Sequence, residues 1–143
     1  MIDEEKLLAA LVGAKESGAH VYLIGNGGSA ANAMHIANDL FAAGVRAHAL
    51  TDVATLTAVA NDYGYLRVFE QQVKVFGETD DILIALSGSG RSPNILMAID
   101  AAEQIGMQVF TVTEYLKDMT MQQSEESQVA LGHRLMLALR KMQ

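Results

Sequence analysis

The sequence predicts an α/β fold in which a parallel sheet of about four strands lies between two layers of helices. Two observations favour this class: short apolar runs alternate with longer segments of helical periodicity, and glycine-rich turns follow two of those runs. No stretch has the composition of a linker, a repeat or a low-complexity segment. We therefore expect residues 1–143 to form one domain.

Four apolar runs are predicted to be buried strands, because each is too short for a helix and ends near glycine or polar residues. They are HVYLIG (20–25), RAHAL (46–50), DILIAL (81–86) and MQVFTVT (107–113). The second run is the weakest, since alanine is a poor strand former.

The intervening segments are predicted to be helices, because apolar residues recur in them every three to four positions. Acidic residues open the first helix, Gly44 and Gly106 follow two others, and basic residues close the last, as helix ends favour. The predicted helices cover 2–17, 29–43, 52–62, 66–77, 92–105 and the chain from Glu114 onward, most clearly 126–142.

The order of the strands follows from how such units connect. Right-handed crossovers and short connections favour the order 2-1-3-4. The chain then leaves strand 1 on one side and strand 3 on the other, which opens a crevice at the carboxyl ends of these two strands. The predicted arrangement is a three-layer α/β/α, Rossmann-like sheet with one ligand crevice.

Two loops should face that crevice. GNGGS (25–29) follows strand 1, and SGSGRS (87–92) follows strand 3. Glycine lets backbone N–H groups approach an anion, and each loop leads into a helix N-terminus, which favours negative charge. The second loop adds three serine hydroxyls and Arg91. Together they favour a compact phosphate ester; the alternative is a pair of tight turns with solubilising side chains.

A dinucleotide cofactor is the competing interpretation of the first loop. GNGGSA has the spacing Gly-x-Gly-x-x-Ala, and Asp52 lies near where a ribose-binding acid would be expected. The domain, however, is too short to carry a separate substrate half, and the serine loop has no role in that scheme.

Composition excludes several classes of partner. The chain has 10 Lys and Arg residues against 17 Asp and Glu residues, a net charge of −7, and its cations are scattered, so we expect no nucleic acid partner. It has no cysteine and therefore no disulfide or thiolate site. The apolar runs are too short to span a membrane, and the acidic start is unlike a secretory leader, so we expect a cytoplasmic protein without membrane contact.

Three motifs resemble the sugar isomerase (SIS) domain: GNGGSAANAMHIANDL, TAVANDYGY and ALSGSGRSPNILMAIDAAEQIGMQVFTVT. The resemblance runs from about Val21 to Thr113 and is closest to the phosphoheptose isomerase group. It implies a phosphorylated sugar as ligand and aldose–ketose isomerisation of sedoheptulose 7-phosphate through an enediolate. The first and last helices also carry apolar stripes, from which we expect a homo-oligomer, a dimer or a tetramer.

The resemblance implies three sets of substrate contacts. The first loop contacts the sugar phosphate, the serine loop binds the phosphate, and an Asn-Asp pair lines the site. These residues are Asn26, Gly27, Gly28 and Ser29, then Ser87, Gly88, Ser89 and Ser92, then Asn61 and Asp62. Without the resemblance, the Asn-Asp pair is equally well explained as an ordinary helix end.

Catalysis in the family uses a histidine and a glutamate four residues later, and those positions hold His35 and Asp39 here. The spacing places both on one helix face. The resemblance makes Asp39, with His35, the base that moves a proton through the enediolate. They are also the only metal candidates in this interpretation, so zinc remains a candidate with an incomplete ligand set. The alternative is a surface pair.

The last helix of the family carries a glutamine, a histidine three residues later and a second histidine five residues beyond. Placing His133 at the first histidine puts Ala130 and Ala138 at the other two positions. This register predicts an incomplete catalytic helix. It leaves open a second function, a non-catalytic SIS protein that binds a phosphosugar as a sensor or scaffold.

Overall fold

The computed structural model describes residues 2–113 and 118–142. A parallel four-stranded sheet in the order β2-β1-β3-β4 confirms the predicted fold class and strand order. The strands are β1 (His20–Gly25), β2 (Arg46–Ala49), β3 (Ile82–Leu86) and β4 (Gln108–Val112). The helices are α1 (Glu4–Ser17), α2 (Gly28–Ala42), α3 (Val53–Tyr63), α4 (Val68–Phe76), α5 (Pro93–Ile105) and α6 (Met121–Lys141), with a 3₁₀ turn at Tyr65–Arg67.

The register of the central strands brings the two predicted loops together. β1 pairs with β3 from Val21 opposite Ile82 to Gly25 opposite Leu86. Both strands therefore end at the same level, on adjacent positions of the sheet. The loops that follow Gly25 and Leu86 begin side by side at the carboxyl edge, as the predicted topology requires.

The hydrophobic core has two layers, one on each face of the sheet, because successive strand side chains point to opposite faces. Leu23 and Ile84 pack with α1, α2 and α6 on one face. Ile24 and Leu83 pack with α4 and α5 on the other. Every position of β3 is buried, which accounts for its uninterrupted apolar sequence.

The last helix begins later than the sequence suggests. The prediction of helix from Glu114 onward is wrong at residues 118–120, which lie outside α6, and residues 114–117 lie outside the described part of the chain. A capping box starts α6: Thr120 accepts from the backbone N–H of Gln123, and the Gln123 side chain accepts from the backbone N–H of Thr120. In the described ranges, no helix is long and apolar enough to cross a membrane.

Helices α2 and α6 pack closely at Gly132. A Cβ added at Gly132 would lie 2.6 Å from Cγ1 of Ile36, a side chain that is itself buried in the core. Any larger residue at this point therefore forces the two helices apart or displaces Ile36.

Two glycine substitutions test this packing. Gly132→Ala gains about 1 kcal/mol of helix propensity, but overpacking at Ile36 costs about 1–3 kcal/mol, so we expect a net loss of stability. Gly13→Ala, in α1, is the matched control: nothing lies within 4 Å of its Cβ position, and it should gain about 0.5–1 kcal/mol. Denaturant unfolding measures both free energies. Equal stabilisation by the two substitutions would contradict the close contact.

Candidate functional site

The loops after β1 and β3 line one shared cavity of about 250 Å³. Its wall is completed by the end of β3 and by the first turns of α6. The lining residues are Asn26, Ser29, Leu86, Ser87, Gly88, Ser89, Ser92, Met121 and Glu125. Two segments some sixty residues apart in the sequence thus form one small polar pocket at the N-termini of α2 and α5.

Side chains from two other elements fix the first loop. Asn26 and Asn94 exchange two amide hydrogen bonds of 2.9 Å each, and the Tyr65 hydroxyl donates to Asn26 Oδ1 at 2.8 Å. Gly27, at φ +55°, makes the turn into α2, a conformation that favours glycine. Sequence reasoning missed Asn94 and Tyr65, because neither belongs to a loop that the pattern marks as a binding site.

The serine loop is shaped by its own hydroxyl groups. Ser87 Oγ accepts from the N–H of Gly90 at 3.1 Å, and Ser89 Oγ accepts from the N–H of Arg91 at 3.2 Å. Ser87 is buried, whereas Ser89 is exposed at the mouth of the cavity. Ser87 therefore holds the loop's shape, and Ser89 is free to turn its O–H toward a ligand.

Helix α6 contributes a buried amide to the same wall. Gln128 is fully buried; its Oε1 accepts from Asn32 Nδ2 at 2.9 Å, and its Nε2 donates to Ser29 Oγ at 3.3 Å. Asn32 also donates to the backbone oxygen of Glu125 at 2.9 Å. These bonds tie the first turns of α2 to α6 and set the position of the Ser29 hydroxyl. The sequence analysis did not identify Gln128.

Two turns further along α2, three side chains meet. His35 Nε2 and His133 Nε2 are 3.0 Å apart, and each lies 3.5 Å from Asp39 Oδ2. Asp39 is buried while both imidazoles are about half exposed. The three atoms that could bind a metal ion, one from each side chain, lie within 4.8 Å of one another. The prediction that His35 and Asp39 are the only metal candidates is therefore wrong, because α6 supplies His133.

The position of His133 also corrects the register used for the last helix. The family pattern puts its second histidine in the site, and the residue found beside His35 and Asp39 is His133. Counting back five and eight residues places Gln128 at the first histidine and Glu125 at the glutamine. In this register Ala130 and Ala138 correspond to none of the three family positions. The expected loss of polar groups at two of the three positions is wrong, since Glu125, Gln128 and His133 are all polar.

The cluster fits a divalent metal such as zinc. Asp39 Oδ2 is buried and has no hydrogen-bond partner among the described residues, and an orphaned carboxylate oxygen between two imidazoles is relieved by a cation. Tetrahedral zinc with bonds of about 2.0–2.2 Å places its ligand atoms roughly 3.3–3.6 Å apart. The separations of 3.0 and 3.5 Å are close to that spacing. Three protein ligands are the number a catalytic zinc site requires.

Asn61 and Asp62 lie outside this group. Both are exposed near the C-terminal end of α3, where Asn61 Nδ2 donates to Asp62 Oδ1 at 3.1 Å. Neither belongs to the described residues that line the cavity. Their predicted substrate contact is not brought about by this chain alone and stays a prediction.

Asp52, which suggested a nucleotide ribose, has a structural role. Its carboxylate accepts from the backbone N–H and the hydroxyl of Thr55, both at 2.9 Å, and so caps α3. These hydrogen bonds, the backbone one first, lower the pKa of Asp52. Helix capping explains this residue without a dinucleotide.

The fold and the paired loops define a sugar isomerase domain. Residues 4–114 match the family model described as "SIS domain", and the chain belongs to this family. Among curated relatives it is similar to phosphoheptose isomerases: 44% identical over 110 residues to that of Thiobacillus denitrificans, and 44% over 121 residues to that of Burkholderia pseudomallei. These matches cover 72% and 75% of this chain but 56% and 61% of the relatives, so the chain spans little more than half their length.

Solved structures extend the similarity into α6. The phosphoheptose isomerase of Neisseria gonorrhoeae superimposes with a TM-score of 0.85 at 30% identity, over 96% of this chain and 83% of that one. The enzyme of Francisella tularensis gives 0.86 at 30% identity, over 96% and 84%.

The metal site can be tested without an activity assay. Zinc should raise the melting temperature of the protein, because it binds the folded state and relieves Asp39 Oδ2. We expect His133→Ala to remove most of that shift, since it leaves two ligands. Leu137→Ala, one turn further along α6 and exposed, is the control and should keep the full shift. Thermal unfolding with and without zinc measures this; an equal shift in both variants would exclude His133 as a ligand.

Proposed function

We propose that this chain is a phosphosugar isomerase of the phosphoheptose isomerase type, which interconverts sedoheptulose 7-phosphate and the corresponding aldose. One observation carries the proposal: α2 has the anion pocket at its first turn and the cluster of His35, Asp39 and His133 two turns later. A phosphate site and a proton-transfer site thus lie on one helix, facing α6.

The spacing of the two sites suits a long sugar phosphate. Gly28 and His35 are seven residues apart on α2, which corresponds to about 10 Å along the helix axis. An extended chain advances about 1.2 Å per bond. The eight bonds from C1 of a seven-carbon sugar to its phosphorus therefore span about 10 Å. With the phosphate in the pocket, the carbonyl end of such a sugar reaches the cluster.

Asp39 is proposed as the base. Isomerisation moves a proton between C1 and C2 through an enediolate, while a second proton moves between the two oxygens. The Asp39 carboxylate takes the carbon-bound proton and returns it to the neighbouring carbon. His133 and His35, within 3.5 Å of Asp39 Oδ2 and half exposed, are placed to carry the oxygen-bound proton. Both steps use residues that face one another across α2 and α6.

A metal would be held by Nε2 of His35 and His133 and by one carboxylate oxygen of Asp39, which would leave the other oxygen as the base. When bound, it would stabilise the negative charge on the enediolate oxygens in place of proton transfer by the two histidines. The chain's own part is to hold the three ligands and to anchor the phosphate. The proposed phosphate donors are the hydroxyl groups of Ser29, Ser89 and Ser92, and Gln128 positions that of Ser29. The backbone around them would be that of Asn26, Gly27, Gly28, Ser87 and Gly88.

A second candidate is a SIS protein that binds the phosphosugar without converting it. It is favoured by Asp39, which is one methylene shorter than the family's glutamate, and misplacement of a base by about 1 Å costs about a hundredfold in rate. It is also favoured by the length of the chain, which covers little more than half of its curated relatives.

Turnover separates these candidates. The protein, supplied with zinc, should interconvert sedoheptulose 7-phosphate and its aldose, and Asp39→Asn should lower kcat by about 10²–10⁴-fold, because the amide cannot accept the proton. Calorimetry on the same variant should show that sugar phosphate still binds. Binding without turnover in the unaltered protein would establish the second candidate, and no binding at all would contradict both.

We further propose that the chain acts in the cytoplasm, since a phosphorylated sugar carries charge that does not cross a bilayer unaided.

We also propose that the chain forms a homo-oligomer. The expected reason for assembly holds only in small part: the leucines of the α1 and α6 stripes are in the core, and Met142 is exposed. Exposed apolar side chains include Val53, Leu66 and Val75 on α3, the 3₁₀ turn and α4, besides others such as Phe41 on α2 and Leu137 on α6. Exposed apolar surface of this kind favours association.

Light scattering should therefore give the mass of a dimer or a tetramer. Val75→Glu, on exposed α4, should shift the population toward the monomer by placing a charge in the contact. Phe41→Glu, equally exposed but on α2, is the control and should leave the mass unchanged. A monomer at micromolar concentration would contradict the proposal. Dissociation by Phe41→Glu but not by Val75→Glu would show that the contact between subunits involves α2 rather than α4.

A further inference from the structure

We propose that a cavity beside β1 and β2 is a second ligand site, which binds an uncharged planar aromatic ring with an N–H donor on its edge. Indole and the purine bases are rings of this class. The inference does not rest on the proposed isomerase function. The cluster of His35, Asp39 and His133 lies on the face of the sheet that packs with α2 and α6, whereas this cavity opens on the face that packs with α4 and α5.

The cavity has the size and character of a small-molecule site. Its volume is about 360 Å³, and its wall is mostly aromatic or apolar with a few polar groups. It lies between the two strands, the first turn of α3 and the second half of α4. None of its described lining residues also lines the cavity formed by the two glycine-rich loops.

Four rings line this cavity in one nearly parallel array. The centroids of Tyr22 and His48 are 5.6 Å apart with their planes at 30°, and those of Tyr22 and Phe76 are 6.1 Å apart at 21°. His20 stacks on His48 at 5.2 Å and 28°. These separations are typical of offset stacking, in which part of each ring face stays uncovered. The array therefore offers a wall on which a further flat ring can stack.

A buried amide gives the cavity one fixed hydrogen-bond acceptor. Gln72 lines the cavity but is only 4% exposed. Its Nε2 donates to the backbone oxygens of Val68 at 2.9 Å and Leu50 at 3.3 Å. Because both partners are carbonyl oxygens, the nitrogen must face them, and the orientation of the amide is fixed. Within the described residues Oε1 accepts no hydrogen bond, and a ligand N–H would supply the missing donor.

The charges around the cavity disfavour anions. No lysine or arginine is among its described lining residues, and Asp52 contributes a carboxylate whose pKa is lowered by its hydrogen bonds to Thr55. Burial, and secondly the neighbouring His20, lower the pKa of His48, so this imidazole is neutral at pH 7. A phosphate ester or a carboxylate would be repelled there without compensation, whereas an uncharged ring would not.

Two ligands of nearly the same size and shape test the inference: indole, whose ring N–H donates, and benzofuran, which has an oxygen in its place. Titration calorimetry should show that the unaltered protein binds indole about tenfold more tightly, because benzofuran leaves the Gln72 oxygen without a donor. Gln72→Leu should abolish this preference. Gln71→Leu makes the same change one position earlier in α4, outside the cavity lining, and is the matched control that should keep the preference.

The stacking wall is tested at an exposed residue, so that the core stays intact. His48→Ala should weaken both ligands about threefold or more and preserve the preference for indole. His35→Ala, the same truncation in the metal cluster, should change neither affinity.

Three results would overturn the inference. Equal affinity for indole and benzofuran in the unaltered protein would exclude the contact with Gln72, and this comparison decides the point even where Gln72→Leu does not fold. Displacement of indole by inorganic phosphate would place the ring in the loop cavity instead. Failure of both ligands to bind at millimolar concentration would exclude the site.

Discussion

The packing of α2 against α6 is the interaction on which the candidate site depends. Within this packing Gly132 leaves room for Ile36, and the contacts of the site lie on either side of that point. In one direction the helices bring Asp39 to His133; in the other they bring Ser29 to Gln128. A change in the separation of the two helices would alter both sets of contacts, so the proposed ligand anchoring and the proposed proton transfer share one structural support.

The sheet and its loops could be predicted because their signals are local. β3 is an unbroken apolar run and is buried at every position, and even the alanine-rich β2 pairs as expected. Strand order follows from connection rules, and it sets where the two loops meet. The start of α6 was misjudged because amphipathic periodicity continues beyond the cap, whereas the Thr120–Gln123 capping box fixes the actual first turn.

The side chains that complete the site could not be predicted in the same way, because their roles depend on tertiary register. Nothing in the sequence around His133 distinguishes a histidine that faces α2 from one that faces solvent, and a shift of five residues along α6 changes the residues assigned to the site. Gln128 and Asn94 act on partners 99 and 68 residues away. A short motif cannot encode such distances. Asp39, in contrast, could be paired with His35 because the two lie one turn apart on the same helix, and the resemblance to the family then assigned them to the site.

The bonds that hold Asn26 have a consequence for how fast and how tightly a ligand is captured. Its amide is held by Asn94 on α5 and by Tyr65 on the 3₁₀ turn, so two other elements fix one side chain. A mobile loop loses conformational freedom when it binds its ligand. The first loop has already lost this freedom when the chain folds. The first loop is pre-organised, and binding of the proposed phosphate ester would require little rearrangement on its side of the cavity.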